Sequence, residues 1–167
     1  MRLNFRIAGA DDLPAIVEIY NQAVATKQAT AELTPVSVES RRDWLAGHLP
    51  EHYPIFVAET VAGVVGWCSL GPYRPGRMAL RHTAEISYYI HEDFRRMGIG
   101  SRLVAHVVEE GRSRGIKTLI AILLDINAGS IRLLEKLGFR KWGELPRVAD
   151  FDGEECGHLY YGLRVSP

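Results

Sequence analysis

The sequence predicts a mixed α/β domain, with a central sheet that is antiparallel in its first half and crossed by helices in its second. Two observations carry this. Two apolar, β-branched runs, YPIFVAE (residues 53–59) and GVVGWCSL (63–70), are separated by a short glycine-containing turn and read as a hairpin. Later, TAEISYYI and KTLIAILL are each followed by a segment of helical periodicity, the pattern of helical crossovers between strands. The complete order is β-α-α-β-β-β-α-β-α-β-β.

Taken in turn, LNFRIA is a short first strand. DDLPAIVEIYNQAV is a helix, with Asp11 or Asp12 as cap, Pro14 in the first turn, and Ile16, Ile19, Tyr20 and Ala23 on one face. TPVSVESRRDWLAGHL is expected to form a second helix, capped by Thr34 before Pro35, with Trp44, Leu45 and Leu49 apolar. After the hairpin, GPYRPGRMALRH is a loop by its proline, glycine and arginine content. TAEISYYI is a strand. SRLVAHVVEEGRSRG is a helix with Leu103, Val104, Val107 and Val108 inward, ending near Gly115. KTLIAILL is a buried strand, and AGSIRLLEKLGF a helix with Ile131, Leu134 and Leu137 on one side and Gly138 as its stop. FRKWGEL and HLYYGLRV close the sheet.

The 167 residues suit a single domain, 1–167. Twenty basic and twenty acidic side chains cancel, so no global field attracts nucleic acid or an acidic membrane. The first residues lack the apolar core of a signal peptide, and no apolar run reaches the roughly 18 residues of a membrane span. Cys68 and Cys156 stand far apart without a CxxC pattern, and the six histidines have no metal spacing, so neither a disulfide framework nor a metal site is expected. A reducing cytoplasm fits this composition. Trp44, Trp67 and Cys68 are expected in the core, and His82 in a loop.

The strongest chemical signal is the stretch HEDFRRMGIGSRL. Gly98 and Gly100 lie just behind Arg95 and Arg96, at the mouth of a helix. N–H groups at a helix start have no intrahelical partner and, with the helix dipole, form an anion site. Glycine lets that backbone approach a ligand closely. Arg95, Arg96, Met97, Gly98, Ile99, Gly100 and Ser101 are therefore candidates to wrap a pyrophosphate, and Arg102 adds charge.

After the next strand comes NAGSIRLLEKLGF. The pair resembles the two signature segments of the Gcn5-related N-acetyltransferase (GNAT) superfamily, R/Q-x-x-G-x-G/A and N-x-x-(A/S)-I-x-L-(Y/H)-E-K-x-G-F. The segments EIYNQAV, AELTPVSVESRRDWL, YPIFVAE, VVGWCSLGPYRP and RHTAEISYYI extend the resemblance, from about Ile7 to Gly143, to the phosphinothricin and methionine sulfone/sulfoximine N-acetyltransferases. The tail RVADFDGEECGHLYYGL departs from that subfamily's usual pattern.

This resemblance implies a mostly antiparallel sheet with one splayed parallel strand pair, flanked by helices on both faces, and an acetyl-CoA-dependent enzyme without a metal. The pantetheine arm would run beside Tyr88, Tyr89 and Ile90, and the pyrophosphate would sit on Arg95 to Ser101. Asn127 and Ser130 would reach the cofactor, and Lys136 would lie near one of its phosphates. A homodimer is also implied. The amine acceptor must lose a proton before attacking the thioester, and Glu85 is the candidate base. A carboxylate in mid-strand is costly to desolvate unless paired or used, and the plain alternatives are a solvated face or a pair with Arg81. The superfamily's tyrosine acid is replaced by Leu134, so that either CoA leaves as a thiolate eased by nearby dipoles, or water or another group such as Tyr160 or Tyr161 protonates it.

Arg74, Arg77 and Arg81 crowd the loop before that strand and are candidates to hold an acidic group of the acceptor, for which arginine forks are suited. Ala31 and Leu80 stand where the subfamily has aromatic residues. Asp152, Glu154 and Glu155 stand where it has basic and aromatic ones, which favours a larger or more basic acceptor. The expected activity is acetylation of a small amine, an amino acid or analogue of the phosphinothricin or methionine sulfone/sulfoximine type. The alternatives are acetylation of protein or peptide N-termini and a non-catalytic acyl-CoA-binding module.

Overall fold

The computed structural model describes residues 1–166. Its seven strands are β1 (Asn4–Ile7), β2 (Ile55–Thr60), β3 (Gly63–Pro72), β4 (Thr83–Ile90), β5 (Thr118–Leu124), β6 (Arg140–Phe151) and β7 (Glu154–Arg164). They form one sheet in the order β1-β2-β3-β4-β5-β7-β6. Every pairing is antiparallel except β4 with β5. The helices are α1 (Leu13–Thr26), α2 (Arg42–Ala46), α3 (Ile99–Ser113) and α4 (Ala128–Lys136). This is the mixed, mostly antiparallel fold that the sequence and the resemblance predict.

Two apolar clusters flank the sheet. On one face Leu103, Val104 and Val107 of α3 pack on Val65, Leu70, Ala84 and Ile86, together with Leu134 of α4. On the other, Ile16 and Ile19 of α1 pack on Ile55, Val57 and Trp67, with Trp44, Leu45 and Tyr89 at the margin. The Trp67 indole N–H donates to the Ile16 carbonyl at 3.1 Å and ties β3 to α1.

Three sequence expectations are corrected. Neither aspartate caps α1 through its side chain. The Asp12 carboxylate instead accepts from the Gly9 N–H at 2.7 Å and from both Arg6 Nη atoms at 2.7 and 2.9 Å, and Arg6 also holds Glu59. The second helix is much shorter than the stretch from Thr34 to Leu49. Thr34 caps nothing, a single 3-10 turn spans Glu39–Arg41, and α2 ends at Ala46. The Asn21 side-chain amide bonds both backbone groups of Val36, at 2.8 and 2.9 Å, and so replaces the helical bonds of that segment. Leu49 is exposed.

The closing strands are longer than expected, because Asp152 and Gly153, at φ 56° and 98°, make a tight hairpin turn. Pro146 obscures the continuity of β6, but it falls where the register shifts between Leu145 and Ala149, on an edge strand that tolerates it. Gly162 lies directly beneath the Trp142 ring, where a Cβ would come within 2.0 Å of the ring carbons. Gly162→Ala is expected to displace Trp142 and lower the melting temperature, read by thermal denaturation.

Candidate functional site

β4 and β5 pair at only three positions: Thr83 with Thr118, Ala84 with Leu119, and Glu85 with Ile120. The pairing begins firmly, since the His82 carbonyl accepts from the N–H groups of Lys117 and Thr118 at 2.8 and 3.2 Å. Beyond Glu85, β4 remains paired to β3 as far as Ile90, and β5 to β7 through Leu124. A wedge-shaped cleft therefore opens between two strands that each keep their outer neighbour. The side of β4 that faced β5 now has backbone groups without a strand partner, an edge ready to receive an extended ligand.

Side chains alternate along β4. Ala84, Ile86, Tyr88 and Ile90 belong to the α3 and α4 face, and Tyr89 packs against Trp67 and Tyr20 on the α1 face. The cleft is lined by Ser87, Tyr88 and Tyr89, by Ala121 and Leu123 of β5, and by Asn127, Ser130 and Leu134. The Tyr88 and Ser130 hydroxyls are hydrogen-bonded across it. Asn127 Oδ1 accepts from the Ser130 N–H at 3.2 Å and so caps α4. Burial pushes the Tyr88 phenol well up, so it remains a protonated donor.

The cleft runs toward the start of α3. Arg96 and Gly98 both have positive φ, 60° and 77°, and Gly98 is the N-cap residue. The first helical bond is made by the Arg102 N–H to the Gly98 carbonyl, so the N–H groups of Ile99, Gly100 and Ser101 precede it. Gly100 brings this turn against Ile90 and Leu133, where a Cβ would stand 2.9 Å from the Leu133 methyl. Arg95 lies back along the cleft, Nε donating to the Ile90 carbonyl at 3.3 Å. Met97 is exposed. An unpaired strand edge, a positive turn and free helical N–H groups in series fit an acyl-CoA. Lys136 lies in the last turn of α4, at the opposite end from Asn127 and three residues after Leu133, which stands against Gly100.

Glu85 occupies the last rung before the strands part. It is half-buried, and no hydrogen bond or ion pair holds its carboxylate. Burial raises its pKa above the ordinary carboxylate range. The Arg81 guanidinium donates instead to the Met78 carbonyl at 3.0 Å. Arg74, Arg77 and Arg81 are all exposed in the β3–β4 loop. Of the hydroxyls considered for the leaving group, Tyr161 donates to Glu135 at 3.1 Å, and the cleft contains Tyr88 and Ser130 rather than Tyr160. Leu134 is fully buried.

On the α1 face, the face of β4 that carries Glu85, Ser87 and Tyr89, lies a cavity of about 180 Å³. Tyr20, Trp44, Trp67 and Tyr89 form its aromatic walls, Ser69 and Ser87 its polar floor, and Arg41 its cation. Trp44 and Trp67 are thus both core and cavity wall. The sequence reading passed over Arg41, although it stands three residues before Trp44, at the spacing of one helical face. At the tip of the β6–β7 hairpin, Glu155 is bonded by Arg147, and Asp152 lies 3.9 Å from Lys27, so much of the acidic tail is already balanced. Among the described residues no cluster of histidine, cysteine and carboxylate could hold a metal, and no helix is long and apolar enough to cross a membrane.

A splayed parallel pair leading to an arginine-flanked helix start defines an acyl-CoA-dependent transferase. The Acetyltransferase (GNAT) family matches residues 16–139, and the chain belongs to it. It is 39% identical over 98% of its length to all of a Bacillus subtilis protein, YwnH, provisionally named a phosphinothricin acetyltransferase. It is 36% identical over its full length to 97% of the L-methionine sulfoximine/L-methionine sulfone acetyltransferase of Pseudomonas aeruginosa. Among solved structures, the phosphinothricin acetyltransferase of Sinorhizobium meliloti in complex with acetyl-CoA superposes with a TM-score of 0.92 at 29% identity, over 99% of this chain and 90% of that one. The protein is an acetyl-CoA-dependent N-acetyltransferase.

Proposed function

We propose that this single-domain enzyme acetylates the primary amine of a small amino acid or amino-acid analogue, of the kind named for its relatives, with Glu85 as general base. One observation carries the reading: an unpartnered, desolvated carboxylate at the point where β4 and β5 part. A carboxylate with a raised pKa is a better proton acceptor for an ammonium than an ordinary one. Bound acetyl-CoA supplies a thioester carbonyl for the amine to attack. The free edge of β4 at Tyr88, Tyr89 and Ile90 holds the cofactor's amide-bearing arm as a neighbouring strand would. A main-chain N–H near Ile90 stabilises the developing oxyanion.

The turn from Arg95 to Ser101 takes the pyrophosphate, Asn127 and Ser130 steady the α4 side, and water protonates the leaving thiolate, since burial makes the Tyr88 phenol a weaker acid than a thiol. Arg74, Arg77 and Arg81 make the loop beside β4 attractive to acidic acceptors. The reading includes a homodimer in the cytoplasm, and light scattering of the purified protein tests the dimer.

CoA thiol release is the direct assay, with acetyl-CoA and methionine sulfone, methionine sulfoximine, phosphinothricin, common amino acids, polyamines and short peptides. Turnover of amino-acid-like amines is expected. Turnover confined to peptides or polyamines would sink the reading. Gly98→Val forces a β-branched residue into a left-handed conformation that costs about 1–2 kcal/mol and disturbs the turn. It is expected to raise the KM for acetyl-CoA about tenfold while leaving the KM for the amine unchanged, because the turn stands apart from the α1-face cavity.

A further inference from the structure

We propose that Leu134 closes the inner end of the β4–β5 cleft and thereby limits the acyl group of the donor to two carbons. This rests on the placement of the cofactor along β4 given above and specifies which acyl-CoA the enzyme accepts.

The cleft is divided in two. An outer space of about 250 Å³ is lined by Ile90 and Arg95 and opens toward the start of α3. An inner space of about 50 Å³ is lined by Ile86, Ala121, Leu123 and Leu134. Tyr88 and Ser130 line both, and the hydrogen bond between their hydroxyls marks the division. Ile86 and Ala121 are the first residues past the last rung, Glu85 with Ile120, so the inner space lies at the apex of the wedge. A cofactor with its pyrophosphate at the α3 turn and its arm along β4 brings its acyl end to this apex.

The apex has little room. A water-sized group takes about 30 Å³ of liquid volume, so the inner space holds roughly two. That suits the methyl and the carbonyl of an acetyl group, and a propionyl group is one methylene too long. Ile86, Ala121 and Leu134 are 2%, 3% and 0% exposed, and with Leu123 they belong to the apolar cluster under α3 and α4. Interiors of this kind are close-packed, so a longer chain advances only by displacing a side chain. Leu134 is the side chain that closes the space from the helix. It stands four residues after Ser130 and therefore on the same face of α4.

The test is a donor series of acetyl-, propionyl- and butyryl-CoA, with methionine sulfone as the amine. In the wild type, propionyl-CoA is expected to lose about 10- to 200-fold in kcat/KM relative to acetyl-CoA, the usual range for one methylene in an apolar pocket, and butyryl-CoA more. Leu134→Ala should bring propionyl-CoA level with acetyl-CoA and admit butyryl-CoA. Because Leu134 is fully buried, that truncation also lowers stability. Leu134→Val, the smaller cut, should shift the ratio in the same direction by less. Ala121→Val fills the space from the strand side and should weaken acetyl-CoA itself. Free CoA carries no acyl group, and its affinity should stay level in all three variants, which a merely structural loss would not produce. A wild type that uses butyryl-CoA as well as acetyl-CoA, or a wild-type donor ratio in Leu134→Val, would overturn the proposal.

Calorimetric titration of the three acyl-CoAs without an amine separates this from the catalytic reading. Binding that weakens with chain length and recovers in Leu134→Val, without turnover of any amine, leaves the chamber intact and removes the reading of acceptor and base. Glu85-dependent turnover that ignores chain length removes the chamber and leaves the base.

Discussion

Glu85→Gln is expected to lower kcat about 10²- to 10⁴-fold, the usual contribution of a positioned base, with the affinity for acetyl-CoA unchanged. Glutamine keeps the shape and the strand but accepts no proton. The pH profile carries the same information. Activity should fall as pH drops through the Glu85 pKa, and because burial raises that pKa, the acid limb should lie above the ordinary carboxylate range. The variant's residual rate should lose this limb.

Stability should move the other way. The folded state holds the Glu85 proton more tightly than the unfolded chain, so ionising it above the folded pKa costs stability, a cost that is absent below the unfolded pKa. Glu85→Gln should therefore be the more stable protein at neutral pH, and the difference should vanish in acid. A variant that is both slower and less stable would argue that Glu85 is a structural partner rather than a base. Thiol-release kinetics and denaturant titration of the same samples decide this.

Asp12→Ala is expected to cost about 2–3 kcal/mol, less than breaking a fully buried pair because Arg6 is partly exposed, a drop in melting temperature of roughly 5–10 °C for a domain of this size. The carboxylate joins the loop before α1 to β1 through Arg6, and Arg6 continues to Glu59 on β2. Hydrogen bonds from Arg6 hold the Asp12 pKa below the ordinary range. Its contribution is thus fully present above the unfolded carboxylate pKa and lost as pH falls through the folded one. Scanning calorimetry from neutral pH into acid should show wild type and variant converging.

The order of elements was legible because periodicity and turn residues are local signals. Leu103, Val104, Val107 and Val108 are buried as their spacing requires, and TAEISYYI spans β4 residue for residue. Glu85 stood out as a carboxylate where strands seldom place one. What escaped depends on distant partners. The segment from Pro35 to Val38 looks helical until Asn21, on another helix, claims the backbone of Val36. Arg41 reads as a surface arginine until α1 and the sheet close around it. The Asp152-Gly153 turn was a local signal and could have been read, but Pro146 hid the strand that leads into it.

The alternation along β4 gives this strand the character of a reading frame. Ser87 and Tyr89 line the α1-side cavity, Glu85 shares their face by alternation, and even positions 86, 88 and 90 face the side of α3 and α4. Ser87 and Tyr89 also border the cleft between β4 and β5, so only the even positions can be changed without touching the α1-side cavity. A deletion or insertion of one residue between Thr83 and Ile90 would exchange the two sets at a stroke, turning Tyr88 into a wall of that cavity and sending the base to the wrong side. Gly66 guards the frame at the far end. It lies opposite Ile90, with room for no side chain against the Ile90 methyl at 2.6 Å and the Tyr89 carbonyl at 3.2 Å. Evolution of new acceptors in this scaffold should therefore proceed by substitution within β4, with length changes confined to the loops on either side.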